Sequence, residues 1–166
     1  ALRLEDESAD KAAPERVLVL EEARAFYTFV DVEREPVPSL LRHFSAPVRL
    51  FDGLSETELL VLLAHDSDPF NRWEAGQRLA LHRLLAALHA GSAQVGFDDA
   101  FEQAMRGVLR HPQLDPAFKA LVLTPPSEIY LAEQLDSADP QRIHALRESL
   151  LDEVPEDAGK AVPGAL

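Results

Sequence analysis

The pattern of apolar residues along the chain changes near Gly53. Before this glycine, apolar residues form short runs or alternate with polar ones, and after it they recur at spacings of three and four. A period of two suits a β-strand, and a period of 3.6 suits an α-helix. We therefore predict an α+β, mainly α protein. In this fold a partial antiparallel β-sandwich (residues 1–52) is expected to precede an α-helical bundle or solenoid-like array (residues 53–166).

Three segments of the first region are predicted strands. Residues 17–20 form a short apolar run, residues 25–32 carry β-branched and aromatic side chains on both faces, and residues 46–51 follow with Pro47 near a strand start. The polar stretch 5–14 is predicted to be a loop. A strand that is apolar on both faces is usually covered on both. Because three strands make a poor sandwich, we expect part of the sheet to lie upstream of Ala1.

Helix-start signals dominate the second region. Ser55 and Glu58 form a capping box that begins a helix running to about Ala64. Asp-Pro occurs at 68–69, 115–116 and 139–140, and each pair suits a helix start, because the carboxylate caps free amides and proline fits the first turn. Further helices are predicted from Asp98 or Asp99 and over 127–136, and the one from 116 is expected to end near 123. Residues 158–166 show no periodic face and are predicted to be a frayed tail.

The helix after Asp68 is predicted to be the longest, and Gly91 is expected to end it in the left-handed conformation. Its expected apolar face consists of residues three and four positions apart: Phe70, Trp73, Gln77, Ala80, Leu81, Leu84, Leu85 and Leu88.

Composition excludes several classes of function. The chain has 16 basic and 29 acidic residues, a net charge of −13, so we predict that it binds neither nucleic acid nor a membrane. It has no cysteine, which rules out disulfides, thiolate nucleophiles and cysteine-ligated zinc. No apolar run approaches the roughly 20 residues that span a bilayer.

Histidines and carboxylates suggest a metal site at one place only. His65, Asp66 and Asp68 are either a cation site or a capped loop with a solvated histidine, and we favour the capped loop. His82 and His89 lie two helical turns apart, roughly 10 Å, which is too far for one metal. The sequence contains no H-E-x-x-H, no G-x-S-x-G and no glycine-rich phosphate loop. We therefore assign no catalytic, cofactor-binding or metal-binding residue.

Arg72, Trp73 and Glu74 form the most conspicuous polar and aromatic cluster. We expect Trp73, the only tryptophan, to anchor the core, with Arg72 and Glu74 paired or solvated at the surface. The alternative is a contact with a partner or substrate.

Several stretches carry a resemblance to a known enzyme family. They are PSLLRHFSAPV at 38–48 and HDSDPFNRWEAGQ at 65–77, supported by VLVL at 17–20, FYTFV at 26–30, DPA at 115–117 and LTPPSE at 123–128. Over roughly residues 15–152 the chain resembles the bacterial aminopeptidase N family, the zinc alanyl aminopeptidases of gluzincin type. In that family a catalytic domain with the zinc motif precedes a small β-sandwich and a large helical domain.

The resemblance implies that residues 1–52 are the C-terminal strands of an Ig-like β-sandwich domain and that residues 53–166 are the first helices of the helical C-terminal domain. The catalytic domain would then lie upstream. Zinc would belong to the parent enzyme and no cofactor to this chain, which we predict to be inactive alone. The segment would brace the catalytic domain and wall the chamber that peptide substrates enter, with the rest of the polypeptide as its partner, in the cytoplasm. Two alternatives remain: a free-standing helical interaction module, and a hydrolase with a dispersed site.

Overall fold

The computed structural model describes residues 2–96 and 98–152. They fall into two compact units, one up to Pro38 and one from Ser39 onward. The strands are β1 (Arg3–Leu4) and β2 (Phe29–Val30); the helices are α1 (Glu56–His65), α2 (Pro69–Ala90), α3 (Asp99–Arg110), α4 (Pro116–Leu123), α5 (Glu128–Ala132) and α6 (Pro140–Asp152). Short 3₁₀ turns cover Ala9–Lys11 and Arg42–Phe44. The prediction of an α+β, mainly α fold is confirmed, with a small two-stranded antiparallel sheet ahead of the helices in the described residues.

The first unit contains a two-stranded antiparallel sheet. Arg3 lies opposite Val30 and Leu4 opposite Phe29, and the Arg3 guanidinium forms an ion pair with Asp31. Strand β2 lies inside the predicted strand 25–32, whereas β1 was not predicted. The polar stretch 5–14 contains the first 3₁₀ turn.

Two predicted strands are wrong. Residues 17–20, in the first unit, and 46–51, in the second, form no strand in the described part of the chain. Their apolar side chains are largely exposed. The strand prediction rested on composition, but a strand forms only when a neighbouring strand takes up its backbone groups and another layer covers its apolar face.

The helix starts agree with the local sequence signals. The Ser55 amide donates to the Glu58 carboxylate at 2.8 Å, while the Ser55 hydroxyl accepts from the Glu58 amide. Asp98 and Asp115 cap α3 and α4, each accepting from a backbone amide of the first turn at 2.8 Å. Gly91 ends α2 with φ of 73°. Helix α5 is shorter than the predicted 127–136, and the predicted frayed tail 158–166 lies outside the described residues.

Helix α2 is central in the second unit. Part of its buried face packs against α5 and α6 in a core formed by Ala80, Leu84, Ala87, Val95, Leu131, Ile143, Leu146 and Leu150. Within the two described ranges, 2–96 and 98–152, no helix has both the length and the apolarity needed to cross a bilayer.

The buried face of α2 differs from the predicted one near the start of the helix. Its buried residues are Arg72, Ala75, Gly76, Leu79, Ala80, Leu84 and Ala87. Phe70, Trp73 and Gln77 are only half-buried. A Cβ at Gly76 would lie 3.4 Å from the Leu63 side chain and 3.7 Å from that of Val122. The small residues therefore turn towards α1 and α4, because they allow close approach, and the large aromatic ones turn aside.

Replacing Gly107 with alanine is expected to raise the free energy of unfolding by about 0.5–1 kcal/mol. Gly107 lies inside α3, and a Cβ there would meet nothing within 4 Å, so the gain is the helix propensity of alanine over glycine. Urea unfolding measures the change. Gly91→Ala is the control: at φ of 73° an added Cβ is expected to cost about 1 kcal/mol. If both substitutions lower the free energy of unfolding, the helical, open surroundings assigned to Gly107 are wrong.

Candidate functional site

A network of charged and polar side chains connects residues 39–44 with residues 66–72, and we call these two segments together the joint. Both segments lie in the second unit. The Arg42 guanidinium donates from Nη1 to Asp66 Oδ1 at 2.7 Å and to Ser39 Oγ at 2.8 Å, and from Nη2 to Ser67 Oγ at 2.8 Å. Arg42 therefore holds the turn between α1 and α2 against the preceding chain.

Asp68 binds both segments of the joint through one buried carboxylate. Its Oδ1 accepts from the Asn71 amide at 3.0 Å and so caps α2, while its Oδ2 accepts from the His43 amide at 3.0 Å. Burial alone would raise the pKa of Asp68. The two backbone hydrogen bonds and the nearby charges of Arg42 and His43 outweigh it, and the pKa lies below its ordinary value. Asp68 is therefore ionised and paired at neutral pH.

Arg72 lies inside the protein. It is only 5% exposed, and its Nε and Nη2 donate to the Asp66 carbonyl oxygen at 3.1 and 2.6 Å. Burial lowers the pKa of the guanidinium, and the charge of Asp66 partly offsets this. The prediction of a surface position for Arg72 is wrong, because the side chain folds back over the α1–α2 turn and satisfies a carbonyl that the end of α1 leaves without a helical partner.

The backbone of the joint is strained. Leu41, His43 and Phe44 have φ of 53°, 56° and 54°, a left-handed region that costs a residue with a side chain about 1 kcal/mol. The Asn71 side-chain amide donates to Leu40 O and to Ser39 Oγ, both at 2.9 Å. These bonds and those of Arg42 and Asp68 keep the segment in this conformation.

The strained segment places Phe44 over an aromatic cluster. The Phe44 and Phe70 ring centroids lie 4.2 Å apart, and those of Phe70 and Trp73 lie 5.6 Å apart. Together with Phe118 and Leu121 these side chains line an open, mostly apolar cavity of about 430 Å³. We call it the aromatic cavity. The prediction that Trp73 anchors the core is therefore corrected: the indole is half-buried and lines this cavity.

A second ion pair fastens the chain just before α1 to the middle of α2. Arg78 donates to both carboxylate oxygens of Asp52, at 2.7 and 2.8 Å. The hydrogen bond from Arg78 lowers the pKa of Asp52 despite partial burial. Burial raises the pKa of the neighbouring Glu74 carboxyl, with Arg78 opposing it. Glu74 is half-buried beside this pair rather than solvated.

The histidines do not gather into a metal site. His65, His82 and His89 are exposed. Among residues 2–96 and 98–152, no three histidine, aspartate or glutamate side chains are close enough together to hold a metal ion. Asp66 and Asp68, the carboxylates nearest to His65 in sequence, are engaged by Arg42 and by backbone amides. The bonds of these carboxylates fix the conformation of the chain.

Sequence reasoning missed four residues of this network. Their hydrogen bonds join residues that are far apart in the sequence. The separation is 24 positions between Arg42 and Asp66 and 32 between Ser39 and Asn71. The four residues are Ser39, Arg42, Asp52 and Arg78. No local spacing signals such a pair. The one available hint is that Ser39 and Arg42 lie in the stretch that carries the family resemblance.

Comparisons with known proteins divide the chain in two. Residues 1–53 match a family described as a domain of unknown function (DUF3458) with an Ig-like fold. Residues 56–162 match one described as a domain of unknown function (DUF3458_C) with ARM repeats. Aminopeptidase N of Caulobacter vibrioides is 38% identical over 134 residues, and that of Escherichia coli is 37% identical over 136.

In both alignments the matched region covers 81% of this chain but only 15% and 16% of the relatives, so the chain spans about a sixth of their length. A crystal structure of Legionella pneumophila aminopeptidase A in complex with aspartic acid matches with a TM-score of 0.65 and 26% identity. It covers 82% of this chain, and the match covers 16% of that chain.

The resemblance seen in the sequence is confirmed. The ARM-repeat match covers more than half of the chain, which therefore belongs to the DUF3458_C family, with an Ig-like DUF3458 match ahead of it, and which is similar to one region of bacterial aminopeptidases N.

Proposed function

We propose that this chain is a non-catalytic segment of a zinc-dependent aminopeptidase that removes N-terminal amino acids from peptides. The observation that carries the proposal is the similarity to about a sixth of the length of aminopeptidases N. The absence of H-E-x-x-H from the sequence supports a division of labour, in which the chemistry belongs to another part of the polypeptide.

In this proposal the joint is the bracing element. Its bonds connect residues 39–44 to the α1–α2 turn through the buried carboxylate of Asp68 and through Arg42. The buried guanidinium of Arg72 fixes the turn itself by bonding to the Asp66 carbonyl. Hydrogen bonds to buried charged groups are stronger and more directional than contacts between exposed charges. The joint would therefore keep the start of the helical domain in a fixed position against residues 39–44. The helices of the chain would form part of the wall of the peptide chamber.

Zinc does not fit the described residues of this chain. A zinc hydrolase needs three protein ligands, commonly two histidines on one helix face and a carboxylate. Residues 2–96 and 98–152 bring no such set together. We therefore derive no step of peptide hydrolysis from these residues, and we place zinc in another part of the polypeptide.

The 166-residue chain is expected to hydrolyse alanyl p-nitroanilide no faster than buffer, with or without added Zn²⁺. The polypeptide of the complete reading frame is expected to hydrolyse it and to lose this activity with a chelator. Release of nitroaniline, followed by absorbance, measures both. Appreciable turnover by the short chain would refute the proposal, and so would a complete reading frame without H-E-x-x-H.

A free-standing interaction module is the second candidate, and the open aromatic cavity favours it. A groove on a helical layer can take an apolar segment of a partner. A reading frame that begins and ends close to these residues would favour this candidate over the first.

A further inference from the structure

We propose that the aromatic cavity receives a bulky apolar side chain from a part of the aminopeptidase polypeptide that lies outside these 166 residues. The inference rests on the proposed function, because it needs a longer polypeptide. It adds a docking surface and the chemistry of the group that the surface binds.

The cavity has room for a bulky apolar group and a lining that suits one. Its volume of about 430 Å³ lies in the range of about 300–1,000 Å³ of small-molecule sites. The walls come from three sequence segments that the fold brings together: the joint segment with Phe44, the start of α2 with Phe70 and Trp73, and α4 with Phe118 and Leu121. Aromatic rings on several sides favour a bulky aliphatic or aromatic occupant.

A cationic occupant is disfavoured by the state of the one carboxylate that lines the cavity, Asp68. The Asp68 carboxylate accepts backbone hydrogen bonds on both oxygens, from Asn71 and His43. A cation that entered the cavity would be desolvated and would have to compete with these bonds for Asp68. The cavity thus offers an apolar surface with its nearest carboxylate already engaged.

Two exposed side chains indicate that the cavity is normally covered. Phe44 is 70% exposed and Leu121 is 52% exposed, although both line the same concave surface. Phe44 is held there by left-handed backbone, which costs free energy and persists only where the surroundings impose it. The bonds of the joint and the contact with Phe70 hold Phe44 in this position, yet most of its ring stays exposed, so a further apolar group could still be buried against it.

The occupant follows from the length of the relatives. The aligned region accounts for 15% and 16% of two aminopeptidases N, so most of such a polypeptide lies outside the region that contains the cavity. A segment of the same polypeptide is present at high effective concentration, whereas a second copy or a free peptide must be captured from solution. We therefore assign the cavity to the polypeptide itself.

Photo-crosslinking tests the assignment in the polypeptide of the complete reading frame. Phe44 is replaced by p-benzoylphenylalanine, which keeps the aromatic ring, and the cross-linked peptides are mapped by mass spectrometry. The expected product joins position 44 to an apolar residue outside these 166. The matched control carries the same group at Tyr130, an exposed aromatic residue of α5 that does not line the cavity, and is expected not to yield that product.

A second variant gives an independent readout. Leu121→Asn is expected to lower the thermal midpoint of the complete polypeptide by more than that of the 166-residue chain, where Leu121 is 52% exposed and the effect of a surface substitution is small.

The inference would be overturned by cross-links confined to these 166 residues, by cross-links between two copies, or by equal shifts of the thermal midpoint in the two chains. If the complete polypeptide hydrolyses its substrate while any of these is observed, the proposed function stands and only the cavity assignment fails. A reading frame without H-E-x-x-H would instead remove the proposed function, whatever the cross-links show.

Discussion

Replacing Arg72 with alanine is expected to lower the free energy of unfolding by about 3 kcal/mol. The change removes two hydrogen bonds to the Asp66 carbonyl, and a buried acceptor left without a donor costs about 1–3 kcal/mol. It also removes the packing of the long aliphatic stem. Chemical unfolding followed by the fluorescence of Trp73, the only tryptophan and the next residue in the chain, measures the loss.

Two matched variants separate the causes. Arg72→Met keeps most of the aliphatic stem and removes only the hydrogen-bond donors. Its free energy of unfolding is therefore expected to lie between those of wild type and Arg72→Ala. Arg106→Ala removes an exposed partner of Glu102 one turn away in α3, and such pairs contribute about 0.3–0.5 kcal/mol. If Arg72→Ala costs no more than Arg106→Ala, then Arg72 is not a buried structural residue.

Replacing Asp68 with alanine is expected to lower the free energy of unfolding by about 2–4 kcal/mol. A lost helix cap costs typically about 1 kcal/mol. The remainder comes from the His43 amide, which loses its acceptor inside the joint. Asp115→Ala is the control, because Asp115 also caps a helix in front of a proline but is exposed, and about 1 kcal/mol is expected there. Equal losses at the two sites would contradict the role of Asp68 in the joint.

The contribution of Asp68 is expected to depend on pH. Its pKa in the folded protein lies below the ordinary value of 3.8, so the folded state favours the ionised form. The stabilisation is therefore fully present above the ordinary value and is lost as the pH falls through the lowered pKa. Urea unfolding of wild type and Asp68→Ala at neutral and acidic pH should show the difference between them shrinking towards acid. A difference that grows would reverse the sign of the shift.

Helix starts could be read from the sequence because their causes are local. A cap needs an acceptor side chain beside amides that lie two or three residues further on, and proline fixes its own φ. The Ser55 capping box and the three Asp-Pro pairs therefore predict the starts of α1, α2, α4 and α6 without information on tertiary contacts.

The joint could not be read in this way because its bonds join distant segments. Arg42 and Asp66 look like ordinary surface charges in sequence, and their pairing depends on the α1–α2 turn meeting residues 39–44. The predicted face of α2 is wrong near its start for a related reason. The prediction placed the most apolar side chain, Trp73, in the core, whereas the close contact with Leu63 and Val122 leaves room only for a residue without a side chain, Gly76. The predicted strand at 46–51 is wrong because strand propensity does not provide the neighbouring strand with which its backbone would have to pair.

The ion pair between Asp52 and Arg78 has a consequence for where the helical domain begins as a unit of cooperative unfolding. Sequence similarity changes from Ig-like to ARM-repeat between residues 53 and 56, but the carboxylate at 52 and the guanidinium at 42 are both bonded to groups within or just before α2. A chain cut at the similarity boundary would leave Arg78 and Asp66 without these partners in a folded helical core. We therefore expect cooperative unfolding of the helical domain to include the chain from Ser39, where the contacts divide it, which is 53 − 39 = 14 residues ahead of the end of the Ig-like match.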